Sequence, residues 1–570
     1  MSFKKTSLFF LFLAFNFTIN AQDYRFPLDR TLSMSASFGE LRSNHFHSGV
    51  DLRVGGAPGA KVFAVESGFI SRIFVSPTGY GKALYIEHPN GQTSLYGHLD
   101  RFADKIAEYV EDYQYKRQRF TVNDYTDSTL FPVKKGDLIG YAGNTGSSFG
   151  AHLHFEIRES QKQTPLNVVT RGYMKPPIDN LPPTVHDIAI FTLDTINDVV
   201  RPRLLKEEKA VKKGTIYVPE KTQTYEVCNP VFFGVNANDY QPENTSKHGI
   251  NQMKAYIDGE LFYSFKVDEF EFADTRHINS FIAYGELVKN KKWYMKTYIE
   301  EGNKTPFYET VKNNGVIVLK DTLPHNISIE LYDDLKNKSV LNFKVRRSNK
   351  VATKHQTVNS AQFITMNWSS PFEYYEDGLE LLLGEESLYS DALFKSTRTP
   401  SSEGFSDLWS LGYETIPLQK PMKIRIKPQN MPSSLRQHAF IAKQVDNKIS
   451  YCGGQFEPDG FIATQVYEFG NYFVSVDTIP PKVIVSAKSN NFSNQKQLTV
   501  TLSDNMSGIS TYNGYIDGNW VLFEYDPKTQ SMSYTLDKKQ MGEKGKNRKL
   551  KVIVADNCKN TTTYLYDFIY

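Results

Sequence analysis

Six of the twelve histidines fall between residues 45 and 154: His45, His47, His88, His98, His152 and His154. Two of them stand one residue apart in GAHLHFEIRES, residues 150 to 160, within an alternating apolar pattern. Side chains of a strand alternate with a period of two, so His152 and His154 project from one face and Leu153 and Phe155 from the other. Two imidazoles on one rigid wall suit a metal ion. Upstream, HFHSGVDLR delivers His47 and Asp51 from one bend that contains Gly49. That pair and one imidazole of the HLH strand supply three ligands for zinc and leave the fourth position to water, as in a catalytic rather than a structural site. The chain's only cysteines, Cys228, Cys452 and Cys558, form no CxxC and are expected to be buried free thiols.

Positioning these groups calls for a sheet. KVFAV, GFISRIFV, KALYIEH, TSLYGHL, DLIGYAG and HLHFEIR are short alternating runs punctuated by Gly, Asn and Pro, and PNGQ at 89 to 92 is a hairpin turn of the Asn-Gly type. An antiparallel β-domain over 22–175 follows, interrupted by a charged, partly helical insertion at 101–131. No HExxH glutamate is present, so an imidazole with an ordinary pKa near 6.5 has to handle the protons of any hydrolysis.

HSGVDL, then YGHL at 96 to 99, then VKKGDLIGYAGNTGSSFGAHLHFEI at 133 to 157, resemble the lysostaphin/LytM-type zinc metallopeptidases, which cleave peptide bonds of bacterial peptidoglycan. The resemblance covers roughly residues 30 to 170. It implies one Zn2+ held by His47, Asp51 and His154, with His98 and His152 as catalytic histidines that do not bind the metal. One of the two orients or deprotonates the water and the other stabilises the oxyanion. It also implies peptidoglycan peptides as substrate. Relatives that have lost ligands act as non-catalytic regulators of other wall hydrolases, and a secreted endopeptidase acting on other proteins would share the same zinc site. His45 is expected at the groove edge or surface, His88 at the surface of a hairpin end, and Tyr96 in the core on the face opposite His98. Asn144, Thr145 and Ser147 are placed on a tight loop beside the site, within reach of substrate.

At 570 residues the chain needs several cores. YMKPPIDNLPPTV marks a linker, after which the sequence repeats itself. DNLPPTV at 179 to 185 recurs as DTIPPKV at 477 to 483, HGINQMKAYIDG at 248 to 259 as SGISTYNGYIDG at 507 to 518, and DDLKN at 333 to 337 as DNCKN at 556 to 560. The expected fold is therefore mainly β: the peptidase-like sheet, then Ig-like β-sandwich modules at 179–348 and 478–570 flanking a β-rich, sandwich-like unit at 350–477. Asp239, Asp258, Asp333, Asp504, Asp517 and Asp556 of these modules lie near turns; capping is their ordinary role and calcium the rarer one. Their histidines, at 186, 248, 277, 325, 355 and 438, are too scattered to suggest catalysis.

Lys4 and Lys5 followed by an apolar run at 8 to 15 read as a signal peptide, with cleavage after Ala21. Export to the periplasm, envelope or exterior is expected, with no later membrane span and with the β-modules available to other envelope proteins. A net charge of +3, from 66 basic and 63 acidic residues, gives no reason to expect nucleic-acid binding.

Overall fold

The structure is a computed structural model describing residues 24–175, 178–242, 246–356, 362–401, 403–536 and 541–570. The signal-peptide reading lies outside the described residues. Among those described, no helix is long and apolar enough to cross a membrane.

The alternating runs near the N-terminus pair into an 11-stranded sheet whose path is Met34–Ala36, Val50–Arg53, His152–Glu159, Gln92–Phe102, Lys82–Glu87, Gly68–Val75 and Pro132–Val133. All of these pairings are antiparallel. Leu138–Ala142 crosses between Lys61–Phe63 and Gln92–Phe102. One face buries Leu52, Ile70, Ile73, Leu84, Leu153 and Phe155. The segment 101–131 contains the helix Asp104–Arg117, which buries Ile106 and Val110 and carries Asp104 in its first turn and Arg117 in its last, charges that suit the helix dipole.

Residues 184–356 form a 12-stranded sheet in which the long strands Thr184–Ile196 and Val199–Lys213 pair over ten positions. Residues 364–476 include two five-stranded sheets around one core with Trp409 and Tyr472 fully buried. The last unit pairs two four-stranded sheets around Leu498, Val500, Val552 and Val554. The described residues are thus β-rich in every unit, as their alternation predicts. Cys228 and Cys558 are buried, whereas Cys452 is only half-buried, and all three are free.

The first β-unit packs directly beside the histidine cluster. Phe46, next to His47, is almost fully buried, with its ring 4.9 Å from Phe307, 5.6 Å from Phe281 and 5.7 Å from Phe270. Such edge-on and tilted aromatic packing adds specific geometry to apolar burial and fixes the bend that carries His47. The last unit also reaches back: Glu524 pairs with Lys82 at 2.8 Å, Trp520 packs edge-on against Tyr115 of the insertion helix, and Lys528 donates to the carbonyl of Asn144.

Candidate functional site

The HLH strand lies centrally in its sheet, with Asp51 directly opposite His154 on one side and Gly97 on the other. His47 enters from the preceding bend. There Gly49 is required by space, since a Cβ at this position would lie 2.4 Å from the carbonyl oxygen of Phe155 and 2.7 Å from Cγ of Glu156. His47 Nε2 lies 3.1 Å from His154 Nδ1 and 3.1 Å from Asp51 Oδ1, and His154 Nδ1 lies 2.9 Å from the same carboxylate oxygen. All three side chains are buried. One donor atom from each falls within 4.8 Å of the others.

The remaining nitrogens are committed elsewhere. His47 Nδ1 donates to the carbonyl of Ser37 at 2.8 Å, and His154 Nε2 donates to Glu156 Oε1 at 2.7 Å. Glu156 also accepts from Ser48 Oγ at 2.9 Å, Tyr80 OH at 2.8 Å and Arg158 Nε at 2.7 Å, and Arg158 reaches the Tyr80 hydroxyl at 3.0 Å. Arg42 donates to the outer oxygen of Asp51 at 2.8 Å. Each imidazole is therefore oriented by its second nitrogen, as metal-binding histidines characteristically are. Two nitrogens and a carboxylate, all buried and all aimed at one point, fit a zinc ion.

Electrostatics agree with that fit. Burial lowers the His47 pKa to about 4, only partly offset by Asp51, so its ring is neutral and its Nε2 lone pair available. Burial would raise Asp51, but His47 and hydrogen bonds from His152 and His154 outweigh it and hold the carboxyl well below its usual range. For His154, burial is overcome by hydrogen bonds to Asp51 and Glu156, which raise it to about 9. A cation bound at Nδ1 would take the place of that proton.

His98 and His152 complete the cluster. In a regular strand Tyr96 and His98 would share a face, yet Tyr96 is fully buried with its hydroxyl accepting from the Val65 amide, and the His98 ring lies 5.8 Å from that of His154. The separation comes from irregular pairing along Gln92–Phe102 and from the left-handed backbone of His98, φ 57°. Strand irregularities of this kind re-aim side chains next to active sites. His98 Nδ1 donates to the carbonyl of Thr145 at 2.8 Å, and its ring lies 4.8 Å from that of His152. Burial, then His154 and His152, push its pKa down to about 3. His152 donates from Nδ1 to the carbonyl of Gly150 at 2.8 Å and holds Nε2 3.4 Å from Asp51 Oδ1. In both rings Nδ1 is thus held by a backbone carbonyl, and in His152 the other nitrogen faces Asp51.

The loop after residue 143 is held by contacts of its own. Thr145 Oγ1 donates to the carbonyl of Leu99 and accepts from the Lys82 amide, while Ser147 Oγ accepts from the Gly79 amide. Gly81 and Gly146 cross so closely that a Cβ at Gly146 would lie 2.3 Å from the Gly81 nitrogen. Thr145 and Ser147 therefore position the loop that holds His98. Asn144 accepts from Ser148 Oγ.

His45 is exposed and outside the cluster. The surface expectation for His88 is corrected: it is buried, with Nδ1 3.0 Å from the carbonyl of Ser67 and Nε2 2.8 Å from Ser94 Oγ. Its imidazole finds both partners inside the hairpin end, so burial leaves nothing unpaired. Sequence reasoning missed Glu156, Arg158, Tyr80 and Arg42. Two of these carried a signal, because the period-two face of His152 and His154 continues through Glu156 and Arg158.

Residues 45–115 and 127–167 match peptidase family M23. The N-terminal domain belongs to this family. The gap in the match, 116–126, falls inside the insertion. Residues 364–477 match a Zu5-like domain. An "uncharacterized metalloprotease" of Haemophilus influenzae is 27% identical over 155 residues, 26% of this chain and 27% of that protein. The DD-carboxypeptidase/endopeptidase Mpg of Neisseria meningitidis serogroup B is 32% identical over 130 residues, 22% of this chain and 24% of that protein. The chain thus spans about a quarter of the length of these curated relatives. The catalytic domain of lysostaphin from Staphylococcus simulans is 23% identical, covering 23% of this chain and 82% of that one with a TM-score of 0.17. The M23 match encloses His47, Asp51, His98, His152 and His154.

Proposed function

We propose that the M23 domain is a zinc metalloendopeptidase hydrolysing peptide cross-links or stem peptides of bacterial peptidoglycan, in a chain exported to the cell envelope. The observation that carries this reading is the convergence of His47, Asp51 and His154 on one point, with two further imidazoles alongside. Retention of all five side chains argues against a non-catalytic regulator. The name of the Neisseria relative, a DD-carboxypeptidase/endopeptidase, supports a wall peptide as substrate. Export rests on the apolar run behind Lys4 and Lys5.

Zinc held by these three residues supplies a Lewis acid that polarises a carbonyl and acidifies a water toward neutral pKa. The chain's own residues do the rest. Glu156, itself fixed by Arg158, Tyr80 and Ser48, keeps the His154 ring in register. His98, locked by Thr145, and His152, locked by Gly150, stand with their rings 4.8 Å apart beside the three ligands. One takes the proton of the attacking water and passes it on to the leaving amine; the other donates a hydrogen bond to the developing oxyanion.

The test is digestion of purified sacculi by the full chain, with and without a zinc chelator, with products followed by mass spectrometry and casein as a protein comparator. Muropeptide products that vanish with the chelator and return with zinc are expected. Cleavage of casein alone would transfer the function to protein substrates, and no cleavage of either would favour the regulator.

A further inference from the structure

The sequence repeat returns in the β-units as two matching sets of hydrogen bonds. Asp179 and Asp477 each stand three residues before a Pro-Pro pair, Pro182-Pro183 and Pro480-Pro481. Asp239 and Asp504 each directly follow a strand, Val231–Asn238 and Gln497–Ser503. Asp333 follows His325–Tyr332, and Asp556 ends Asn547–Asp556. Around them the bonding is the same. Asn337 donates its side-chain amide to Asp333 and to the carbonyl of Asp179, and Asn560 does so to Asp556 and the carbonyl of Asp477. Ser339 donates to the carbonyl of Pro183, and Thr562 to that of Pro481.

In each set one oxygen from each of the three carboxylates lies within 4.8 Å of the others. Carboxylates at turns are ordinary, and most of these cap their own loops: Asp333 accepts from the amides of Leu335 and Asn337, Asp504 from those of Met506 and Gly508. A second observation sets these clusters apart. Asp239 is only 5% exposed, yet its Oδ1 has no hydrogen-bond partner. The equivalent Asp504 Oδ1 atom is also buried and unpartnered, on a side chain that is itself only half-buried. The charges that face Asp239 are other carboxylates, Asp333, Asp179 and Asp334. Burying like charges beside an unsatisfied oxygen is costly unless a cation joins them.

We propose that Asp179, Asp239 and Asp333 bind one calcium ion at the head of the first β-unit, and that Asp477, Asp504 and Asp556 bind another at the head of the last. The donors are all hard oxygens without a histidine or cysteine, which selects calcium over zinc. They come from strand ends and loops rather than a rigid octahedral frame, which favours calcium over magnesium.

Placement gives the sites a role. Each begins where the chain enters the unit from the one before it. In the first, Asp239 pairs its backbone with His248, and the same segment docks on the M23 domain, where Gln241 accepts from the Met34 amide at 3.3 Å and the Gly249 amide donates to Ser37 Oγ at 2.9 Å. Ser37 supplies the carbonyl that orients His47. In the last, the Asp477 amide donates to the carbonyl of His438, whose ring bonds the carbonyl of Cys558. Calcium in these positions fastens each junction between units.

The experiment is equilibrium dialysis of the zinc-loaded full chain against calcium on the order of 1 mM, with bound calcium and zinc counted by elemental analysis. Two calcium ions per chain are expected for the wild type, one for Asp239→Asn, one for Asp504→Asn and none for the double variant. Zinc content should be the same throughout, which also reports that the variants are folded. These substitutions keep the side-chain shape and remove a repelling charge. Absence of bound calcium in the wild type, stoichiometry unchanged in the double variant, or preferential loading of magnesium under competition would each overturn the assignment.

Discussion

The histidine cluster of the M23 domain and the acidic triads of the β-units are both convergent sets of donors, fully buried in the first and partly buried in the triads, and they are assembled in opposite ways. Asp51 and His154 come from paired positions on neighbouring strands, and each ligating imidazole has its other nitrogen tied to a fixed acceptor, Ser37 for His47 and Glu156 for His154. The triads come from strand ends and loops, and their carboxylates cap the turns that carry them. Nitrogen ligands on a rigid frame, with two spare imidazoles beside them, make a centre suited to proton transfer. Oxygen-only ligands on loops make a centre suited to fastening a chain. What separates them is ligand type, the support behind each ligand and the depth of burial, since each triad contains one half-buried aspartate.

The largest effect that would sharpen this contrast is at His98. Its replacement by Ala should reduce kcat/KM on peptidoglycan peptides by roughly 10²–10⁴-fold with zinc content unchanged; loss of zinc would move His98 from the chemistry to the ligand set. Next is the support behind the ligand. Glu156→Gln removes the charge that orients His154 and faces the buried Arg158, and should weaken zinc binding about 10–100-fold in a competition titration. It should also cost on the order of 3 kcal/mol of stability, because Arg158 is left buried without its partner. Unchanged zinc affinity would mean that the strand alone orients His154.

The smallest effect belongs to the triads and is read through pH. Burial, then repulsion from Asp333 and Asp179, raises the Asp239 carboxyl to about 8, with Asp334 adding to the repulsion. Its folded pKa therefore lies above its unfolded value of about 3.9. The folded state holds more protons between these values, so calcium-free stability should fall as pH rises through that window. Thermal melts at pH 5 and pH 8 should show a steeper fall for the wild type than for Asp239→Asn, and calcium should remove the difference. Identical pH dependence without calcium would remove the repulsion on which the triad argument rests.

Much of the histidine site was legible because strand periodicity is local. The HLH spacing alone places His152 and His154 on one face, and the bend containing Gly49 brings His47 and Asp51 close together. Glu156 and Arg158 continue the same face, but their charge reads as solvent exposure until Tyr80 and Ser48 are seen to close over them. Tyr80 and Arg42 arrive from distant segments and leave no local pattern. His98 escapes the period-two rule because its backbone turns left-handed in an irregularly paired strand. The surface expectation for His88 fails because a hairpin end can fold inward when one ring nitrogen finds an acceptor and the other a hydroxyl partner there. In the β-units the repeat was visible as sequence. Asp333, Asp504 and Asp556 cap their own turns as expected, but the convergence of the triads depends on three loops separated by 60 or more residues in the first unit.

The division of labour within HLH is the most direct test of the account. His154→Ala and His152→Ala should be prepared in the full chain and compared for bound zinc and for release of peptides from sacculi. The account predicts that His154→Ala loses both zinc and activity, whereas His152→Ala retains one zinc per chain and loses turnover. Equal loss of zinc from the two variants, or normal turnover without His152, would contradict it.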